Sequence, residues 1–572
     1  MKKVSVKING KLISTDVGKT ILDTALENKI EIPFLCYHPD IEIKHHCGMC
    51  LVKISGFDKL KRACSTQVEN GMEIFTESPE IKKERDKNLR LILKEHLLEC
   101  DDCVWFEHCK LLELVRKFEI TPKGKKNDAY QVLQTGTIVF DQTKCIGCEN
   151  CLSVCPVDFL DLNKLEKVEP SSDEKKECIS CGQCILHCPF GAIEGVGEFE
   201  ELEQLFKDKN KITVVQFAPS IRTSVGEEFG MEMGKIATGQ LVSGLKKLGF
   251  DYVFDTASGA DFTTMEEANE LIERLRTNQN LPVLSSCCPA WVKFVEFDYP
   301  EFIPNLCTSR SPQIMLGGII KEYWSKEKNI DPKNIVVVSI MPCVAKKFEI
   351  KREELKIEGR YPVDCVLTTR ELVRLFKKNK IDFKKIIPQE ADDPLGSPSG
   401  AGVIYGSSGG VFESAFRTAY FKVTGEEMPK NTVKEIRGME GIKKKEIKIG
   451  DEILRICVVS GIKNAQKVME ELKNNPGIYN AVEVMACPGG CVGGGGQSLP
   501  TNKRIVQKRS ESLYFIDQQR ELKGAHNSLA VKKIYADLFF NDESVKKILH
   551  THFAPRKKSE IKKLKDSKET HE

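Results

Sequence analysis

The spacing of the cysteines constrains this chain more than any other feature. Fifteen of its 23 cysteines lie before residue 189, and most of them form tight groups. Disulfide frameworks are typical of small secreted domains, whereas grouped cysteines in a long chain are typical of metal sites. The sequence therefore predicts a series of metal centres in the first third of the chain, followed by a larger domain.

The densest group contains the pattern C-x2-C-x2-C-x3-C-P twice, beginning at residues 145 and 178. This repeat resembles the two-cluster ferredoxins of bacteria, in which the fourth cysteine of each pattern binds the other cluster. The resemblance implies two [4Fe–4S] clusters. Their ligands would be Cys145, Cys148, Cys151 and Cys188 for one cluster, and Cys178, Cys181, Cys184 and Cys155 for the other.

The first 80 residues predict a small α+β domain. Residues 4–8 alternate like a strand, Asn9-Gly10 predicts a tight hairpin turn, and residues 20–26 have helical apolar spacing. The four cysteines that follow resemble those of plant-type [2Fe–2S] ferredoxin domains. A zinc site is the alternative, because C-x2-C spacing also occurs there. The ligands would be Cys36, Cys47, Cys50 and Cys64.

Three short segments in the second half supply four more thiols. Residues 285–291 read SSCCPAW, residues 341–347 read MPCVAKK and residues 485–497 read MACPGGCVGGGGQ. In this order they resemble the signature segments of [FeFe]-hydrogenases, whose H-cluster joins a [4Fe–4S] cubane to a two-iron subsite with CO, CN and a bridging dithiolate. The resemblance implies that Cys288, Cys343, Cys487 and Cys491 bind the cubane, with Cys491 bridging to the subsite. Buried structural thiols are the alternative.

A histidine precedes the remaining early cysteines. His96 and Cys100 are one helical turn apart, so both side chains can face one metal centre. The pattern H-x3-C-x2-C-x5-C resembles the histidine-ligated [4Fe–4S] cluster of the same family, and an imidazole ligand is expected to raise the reduction potential. His108 is a rival to His96. The predicted ligands are His96, Cys100, Cys103 and Cys109.

From about residue 206 buried strand patterns alternate with helical ones, as in residues 212–219, 238–248 and 334–340. This alternation predicts parallel sheets with crossover helices. Ala218, Cys343 and Cys487 each follow a predicted strand, at the edge where α/β folds bind ligands. The predicted fold is an α/β catalytic domain of two lobes with parallel sheets around a buried H-cluster, preceded by α+β ferredoxin-like modules.

Other residues near these segments match the surroundings of the H-cluster. The resemblance implies that Lys346 offers its ammonium to a cyanide ligand and that Met341 and Met485 form apolar walls. Each could instead be an ordinary core or surface residue. The remaining cofactor-binding candidates are Ala218, Pro219, Ser220, Gln313 and Pro342.

The resemblance also implies a proton path. Cys287 is not a cubane ligand in the family and would exchange protons with the two-iron subsite. Glu267 and Glu270 are one helical turn apart, and Arg274 follows a further turn along. A solvent-exposed helix face is the common alternative. The predicted relay runs from Cys287 through Glu270 to Glu267, with Arg274 at its mouth.

Four positions depart from the familiar clostridial enzymes. Cys307 stands where they have a relay serine, and a thiol forms weaker hydrogen bonds than a hydroxyl. The relay is therefore expected to be slower, or to use Thr308 or water. Ser285 replaces threonine, Tyr405 replaces phenylalanine and Ser498 replaces proline. These substitutions are expected to surround the cofactor and to shift the balance between hydrogen production and uptake.

Composition limits the partners. Lysine and arginine exceed aspartate and glutamate by 86 to 83, which predicts no binding of nucleic acid. The sequence predicts no secretory signal and no membrane span, hence a cytoplasmic protein. Because no phosphate-binding glycine loop is apparent, the expected electron carrier is ferredoxin or flavodoxin. The resemblance adds maturation proteins that build the two-iron subsite.

The predicted domains follow from these assignments. Residues 1–80 would hold one [2Fe–2S] cluster, 81–120 a [4Fe–4S] cluster with one histidine and three cysteine ligands, and 121–205 two [4Fe–4S] clusters, making three accessory [4Fe–4S] clusters. Residues 206–555 would form the H-cluster domain with a C-terminal segment like the hydrogenase small subunit. Residues 556–572 are lysine-rich and predict a disordered tail.

The predicted function is the reversible reaction 2 H⁺ + 2 e⁻ = H₂. Three alternatives share the domain. Non-catalytic iron–sulfur assembly or lamin-binding relatives lack the relay residues, and a hydrogen sensor would carry an appended domain. A nucleotide-linked subunit of a larger complex often has further C-terminal cysteines, and here none follows Cys491.

Overall fold

The protein is represented by a computed structural model that describes residues 2–42, 46–96, 100, 109–121, 129–208, 210–392, 396–429, 432–450, 452–538 and 542–564. Cys103, a predicted ligand, and His108, the rival of His96, lie outside the described residues. None of the helices in this described part combines the length and apolar character that a membrane span needs.

The first unit is an α+β fold. Asn9 and Gly10, with φ angles of 49° and 80°, form the tight turn that their sequence predicts. The unit contains β1 (Lys3–Ile8), β2 (Lys11–Asp16), α1 (Ile21–Glu27), β3 (Leu51–Ile54), β4 (Lys61–Arg62), β5 (Glu73–Phe75) and α2 (Pro79–Glu95). Its strands form one sheet in the order β2-β1-β5-β3-β4.

The second unit contains two short helices that pack against each other and carry Cys151 and Cys184. This contact brings the two cysteine patterns side by side, as the crossed ligand sets require. The elements are α3 (Lys110–Lys117), β6 (Val132–Thr135), β7 (Ile138–Asp141), α4 (Asn150–Val154), β8 (Leu160–Leu162), β9 (Val168–Pro170), α5 (Gln183–His187) and β10 (Ile193–Gly195).

The third and largest unit alternates strands and helices. They are α6 (Phe199–Lys207), β11 (Ile212–Phe217), α7 (Thr238–Leu248), β12 (Tyr252–Asp255), α8 (Ala257–Thr277), β13 (Val283–Leu284), α9 (Pro289–Asp298), α10 (Pro312–Ile319), α11 (Ser325–Glu327), β14 (Ile335–Met341), α12 (Ala345–Glu349), β15 (Cys365–Thr368), α13 (Thr369–Lys378), α14 (Gly400–Ile404), α15 (Gly410–Thr424), β16 (Ile442–Ile449), β17 (Glu452–Ser460), α16 (Ile462–Asn474), β18 (Ala481–Met485), α17 (Lys503–Gln519), α18 (Leu529–Leu538) and α19 (Asp542–Leu549). Short 3-10 or π turns lie at Pro219–Thr223, Val225–Phe229, Pro300–Asn305, Ile320–Trp324, Pro332–Asn334, Glu353–Leu355, Lys434–Ile436, Cys491–Gly493 and Ala525–Asn527.

Two four-stranded sheets organise this unit. The sheet β12-β11-β14-β15 is parallel; in β13-β18-β17-β16, β16 runs antiparallel to β17. The larger core packs around the first sheet, beneath α7, α10 and α13. Ala218, Cys343 and Cys487 follow the carboxyl ends of β11, β14 and β18. The predicted α/β domain is therefore confirmed, with one parallel sheet and one sheet that is parallel except for β16. Predicted ligands follow the carboxyl ends of strands in both sheets.

The prediction of a disordered tail is wrong for residues 556–564. Residues Ile561–Leu564 form β19, which pairs antiparallel with β6. Arg556 donates from Nε to Glu296 at 2.7 Å, and Lys558 Nζ donates to the main-chain oxygen of Ser171 at 2.9 Å. The lysine-rich composition did not predict this order because these acceptors lie far away in the sequence.

Deletion of residues 556–572 is expected to loosen the second unit from the third. Ser559 Oγ donates to Glu177 at 2.7 Å, and Lys293 of the third unit pairs with the same carboxylate at 2.6 Å. The deletion removes several hydrogen bonds, each worth about 1 kcal/mol net. A lower melting temperature and faster proteolysis of residues 129–195 should result. Deletion of residues 565–572 alone leaves β19 intact and is the control; equal protease resistance of the two truncations would contradict the prediction.

Candidate active site

A cavity of about 70 Å³ lies where the carboxyl ends of the two sheets meet. A larger cavity of about 390 Å³ lies nearby between the units, but no thiol lines it. The smaller cavity is therefore the candidate site. Its lining includes Ala218, Pro219, Ser220, Cys287, Cys288, Gln313, Met341, Pro342, Cys343, Lys346, Met485, Cys487 and Cys491, all of them candidates from the sequence.

Four of these thiols lie around one another: Cys343 and Cys487 are buried, and Cys288 and Cys491 are partly buried. Burial raises the pKa of Cys343 to about 12, and the neighbouring Cys288 raises it further. Burial likewise raises the pKa of Cys487, and the neighbouring Cys343, Cys181 and Cys288 raise it further. Buried thiolates are costly unless a metal binds them. Four thiols in one cavity are the ligand number of a cubane iron–sulfur cluster.

Polar groups at the cavity also fit a bound cofactor. Ser220 Oγ and Gln313 Oε1 are buried, and neither has a hydrogen-bond partner within the described chain. Such atoms in a native protein indicate a ligand or water. Burial opposes the charge of Lys346, but the Glu349 carboxylate holds the pKa of its ammonium above the usual value. The site therefore offers a fixed cation and a hydroxyl to an anionic group, and an amide oxygen to a hydrogen-bond donor.

Glu349 is a site residue that the sequence reasoning missed. Its Oε2 accepts hydrogen bonds from Lys346 Nζ at 2.9 Å, Gln313 Nε2 at 2.6 Å and Ser311 Oγ at 2.9 Å. One carboxylate thus orients two polar side chains of the cavity wall, Lys346 and Gln313. The i, i+3 spacing of Lys346 and Glu349 on α12 was the available signal.

The glycine-rich loop does more than line the cavity. At Gly495 a Cβ atom would lie 2.4 Å from the main-chain oxygen of Cys181 and 2.5 Å from Gly182 Cα. Beside it, Gln183 Nε2 donates to the oxygen of Gly493 at 3.0 Å. The loop is therefore one of the contacts between the second unit and the third, and it holds Cys181 close to the predicted cubane thiols.

The thiols of the second unit form two neighbouring sets. Burial raises the pKa of Cys148, and Cys188 and Cys145 raise it further; these residues and Cys151 line one small cavity. Burial also raises the pKa of Cys184, and its neighbours Cys181, Cys178 and Cys155 raise it further. The grouping matches the crossed ligand sets that the sequence predicts.

The four cysteines of the first unit form two pairs. Their sulfur atoms are 3.4 Å apart for Cys36 and Cys47, and 3.2 Å apart for Cys50 and Cys64. Two pairs suit two irons that each take two thiolates. This arrangement favours a [2Fe–2S] cluster over a zinc ion, which would draw all four sulfurs to one centre.

His96 has the environment of a metal-binding imidazole. Its Nδ1 lies 2.9 Å from the main-chain oxygen of Lys144, and burial lowers its pKa to about 4. A neutral ring that donates from Nδ1 to a carbonyl leaves Nε2 as a free ligand. Burial raises the pKa of Cys109, and Cys100 raises it further. These two predicted ligands are therefore also neighbours.

The structure contradicts the predicted order of the relay. Burial raises the pKa of the Cys287 thiol, and the Glu267 carboxylate raises it further. Glu267 is 4% exposed, with its own pKa raised by burial to about 8. Cys307 lies beside both glutamates. Glu270 is the outer carboxylate, because its side chain is 11% exposed and its Oε2 accepts from the Thr308 amide at 2.9 Å.

Arg274 is not at an open mouth. Its guanidinium pairs with Glu270 and donates to the main-chain oxygens of Asn305 and Leu306 at 2.9 and 2.8 Å. The side chain is only 9% exposed. The i, i+3 spacing places Glu267 and Glu270 on one helix face, but the packing of α8 decides which of them is deep.

The three other substitutions have different surroundings. Tyr405 lines the cavity, and its hydroxyl donates to Glu267 Oε2 at 3.2 Å. Ser285 Oγ accepts from the Val484 amide at 3.0 Å, and Ser498 Oγ donates to the oxygen of Ser224 at 3.1 Å. Tyr405 is therefore the substitution that changes the cavity wall.

Four protein families match the chain. Residues 211–495 match the iron only hydrogenase large subunit, C-terminal domain, and residues 503–556 match the iron hydrogenase small subunit. Residues 1–79 match a 2Fe-2S iron-sulfur cluster binding domain, and residues 137–189 match a 4Fe-4S dicluster domain.

Individual relatives match almost the whole chain. Subunit HndD of the NADP-reducing hydrogenase of Solidesulfovibrio fructosivorans is 36% identical over 98% of this chain and 100% of its own length. Iron hydrogenase 1 of Clostridium pasteurianum is 36% identical over 94% of this chain and 96% of its own.

A solved structure of apo [FeFe]-hydrogenase HydA1 from Chlamydomonas reinhardtii has a TM-score of 0.55 at 35% identity, and covers 62% of this chain and 98% of that one.

The agreement extends from the cysteine patterns to the cavity between the parallel sheets. Because it runs along the whole length of the clostridial-type relatives, the chain belongs to the [FeFe]-hydrogenase family and is an iron–sulfur oxidoreductase that catalyses 2 H⁺ + 2 e⁻ = H₂ in both directions.

Proposed function

We propose that ferredoxin or flavodoxin exchanges electrons with this hydrogenase through one [2Fe–2S] and three [4Fe–4S] clusters held by ferredoxin-like modules. The proximity of successive thiols carries the proposal. Burial is the main cause of the raised pKa values of Cys148, Cys184 and Cys487, and a thiol of the preceding ligand set raises each of them further. That thiol is Cys47 for Cys148, Cys151 for Cys184 and Cys181 for Cys487. These contacts support a conduit from the first unit to the cavity.

The cavity residues would hold the H-cluster. Cys288, Cys343, Cys487 and Cys491 would bind the cubane, while Lys346, Ser220 and Gln313 would hold the polar ligands of the two-iron subsite. When bound, that subsite supplies the redox chemistry of hydrogen. The protein's part is to exclude water with Met341 and Met485, to fix charge with Lys346, and to move protons.

The proposed proton path runs from Cys287 to Glu267, past Cys307, and on to Glu270. Glu267 Oε1 is buried without a partner among the described residues, so it is free to face the thiols. A carboxyl whose pKa lies near the working pH both accepts and releases protons. The pKa of Glu267, raised by burial to about 8, suits that role.

Cys307→Ser is expected to raise turnover without changing cluster content. The Cys307 thiol is 1% exposed and lies between the two glutamates, and a hydroxyl forms stronger hydrogen bonds than a thiol. Hydrogen evolution from reduced methyl viologen, normalised to iron content, measures the effect. Unchanged turnover would show that the thiol at position 307 does not slow the proton relay.

Expression with and without maturation proteins tests the cofactor assignment. Matured protein should evolve hydrogen from methyl viologen and show infrared bands of bound CO and cyanide, whereas protein from a host without those factors should be inactive but keep its accessory clusters. Reduced ferredoxin and flavodoxin are then compared as donors. Matured protein without diatomic-ligand bands would overturn the proposal. A cytoplasmic location is part of it, because a reducing compartment keeps thiols available.

Membership of a larger nucleotide-linked complex is a second candidate. The full-length match to the HndD subunit favours it. Native mass of the protein from its own cells, together with NADPH-dependent hydrogen evolution by that preparation, would separate the two. A monomer that uses ferredoxin and not NADPH supports the first proposal.

A further inference from the structure

A histidine from the C-terminal segment lies against the outer end of the proposed proton path. His550 Nδ1 is 2.8 Å from Thr308 Oγ1, and Nε2 is 2.8 Å from Glu266 Oε2. The Thr308 hydroxyl in turn lies 3.2 Å from Glu270 Oε2. An unbroken line of hydrogen-bonding atoms therefore leads from Glu270 to an imidazole.

The main chain holds His550 in this position. Ser309 and His550 form an antiparallel β-bridge. The Arg310 amide donates to the oxygen of Leu549 and the Thr551 amide to the oxygen of Thr308, both at 2.8 Å. The ring is 20% exposed, whereas the Glu266 side chain is 6% exposed. His550 thus joins a buried path to solvent.

We propose that His550 is the terminal proton-transfer residue of this hydrogenase and exchanges protons with Glu270 through the Thr308 hydroxyl. Arg274, the alternative at the same end, cannot serve, because a guanidinium does not give up its proton. It is also held by main-chain oxygens. The inference rests on the proposed path through Glu267 and Glu270.

Both protonation states of the ring fit these contacts. In the neutral ring, Nε2–H donates to Glu266 and Nδ1 accepts from the Thr308 hydroxyl. An outgoing proton passes from the Glu270 carboxyl to Thr308 Oγ1 while the hydroxyl proton moves to Nδ1, which leaves a Glu270 carboxylate and an imidazolium. Loss of the Nε2 proton to Glu266 or water leaves the Nδ1–H tautomer, whose Nδ1–H donates to Thr308 Oγ1 while that hydroxyl donates to the Glu270 carboxylate. Transfer of the ring proton from Nδ1 to Nε2 through water at the exposed edge, and a new proton on Glu270 from the inner path, restore the starting state. No electron moves in these steps.

Charged groups lie on two sides of the ring. Glu266 faces one edge; burial alone would raise its pKa, but hydrogen bonds from His550 and Tyr535 hold it below its usual value. Glu270 and Arg274 lie behind Thr308, and Arg310 donates to the oxygen of His550 at 2.7 Å. The ring thus has a carboxylate on either side, one of them paired with Arg274.

His550→Gln is the direct test, with His552→Gln as the matched control because His552 is exposed two residues along. In matured protein, His550→Gln should lower turnover about 10²-fold or more, the usual size of general acid–base effects. Added imidazole should restore much of it, and the pH profile of turnover should change. His552→Gln should leave turnover and profile unchanged.

A second measurement does not depend on the active cofactor. In protein that lacks the two-iron subsite, the ring nitrogen resonances of His550 should change in both Thr308→Ala and Glu266→Gln, but not in His552→Gln. Equal turnover of His550→Gln and the unaltered protein would overturn the inference, as would a loss that imidazole does not restore. Failure of the cofactor assignment would look different, because the unaltered matured protein would then lack CO and cyanide bands.

Discussion

Glu267→Gln should lower hydrogen turnover by about 10²-fold or more, the size expected for loss of a general acid–base group. The amide has the shape of the carboxyl and can still accept the hydrogen bond from Tyr405, but it cannot relay a proton. Because Glu267 is not a predicted metal ligand, the infrared bands and iron content should be retained. Turnover normalised to those bands is the measurement.

The same variant should be more stable than the unaltered protein at high pH. Burial raises the pKa of Glu267 from 4.5 to about 8, so between these values the folded protein keeps a proton that the unfolded chain gives up. Stability contributed by this group therefore falls as pH rises through that window. Glutamine has no proton to lose, and its advantage in melting temperature should grow across the same interval.

Glu273→Gln provides the control, since Glu273 is exposed on the same helix. It should change neither turnover nor the pH dependence of melting. Full activity of Glu267→Gln would show that protons bypass this carboxyl, and the path through Cys307 would then have to be abandoned.

Gly495→Ala should separate electron delivery from the active site. The new methyl group would lie 2.4 Å from the oxygen of Cys181, so one of the two loops must move. Overpacking of this kind costs about 1–3 kcal/mol, and the melting temperature should fall. Because the contact joins the second unit to the cubane loop, hydrogen evolution from reduced ferredoxin should fall more than hydrogen–deuterium exchange, which needs no external electrons.

Gly477→Ala is the matched control, because a Cβ atom there has no neighbour within 4 Å. It should leave stability, evolution and exchange almost unchanged. A Gly495→Ala protein in which evolution and exchange decline in parallel would place the damage at the cofactor, and not at the contact with Cys181.

The sequence alone determined the chemistry of this protein. Cysteine spacing is local, so the ligand groups can be assigned from the order of residues. All eleven predicted cofactor-binding and metal-binding residues of the large unit line one cavity, together with Cys287 and Lys346. The strands before Cys343 and Cys487 were predictable because buried parallel strands are continuous apolar runs.

Only the tertiary structure decided which carboxylate is buried, in which order the relay runs and which distant residues are in contact. The spacing of Glu267 and Glu270 gives a helix face but not which end is buried. Glu349 became a site residue because α12 points its carboxylate at Gln313, and the lysine-rich tail became ordered because β6 was free to pair with β19. Such contacts join residues far apart in the chain, so neither local spacing nor composition carries them.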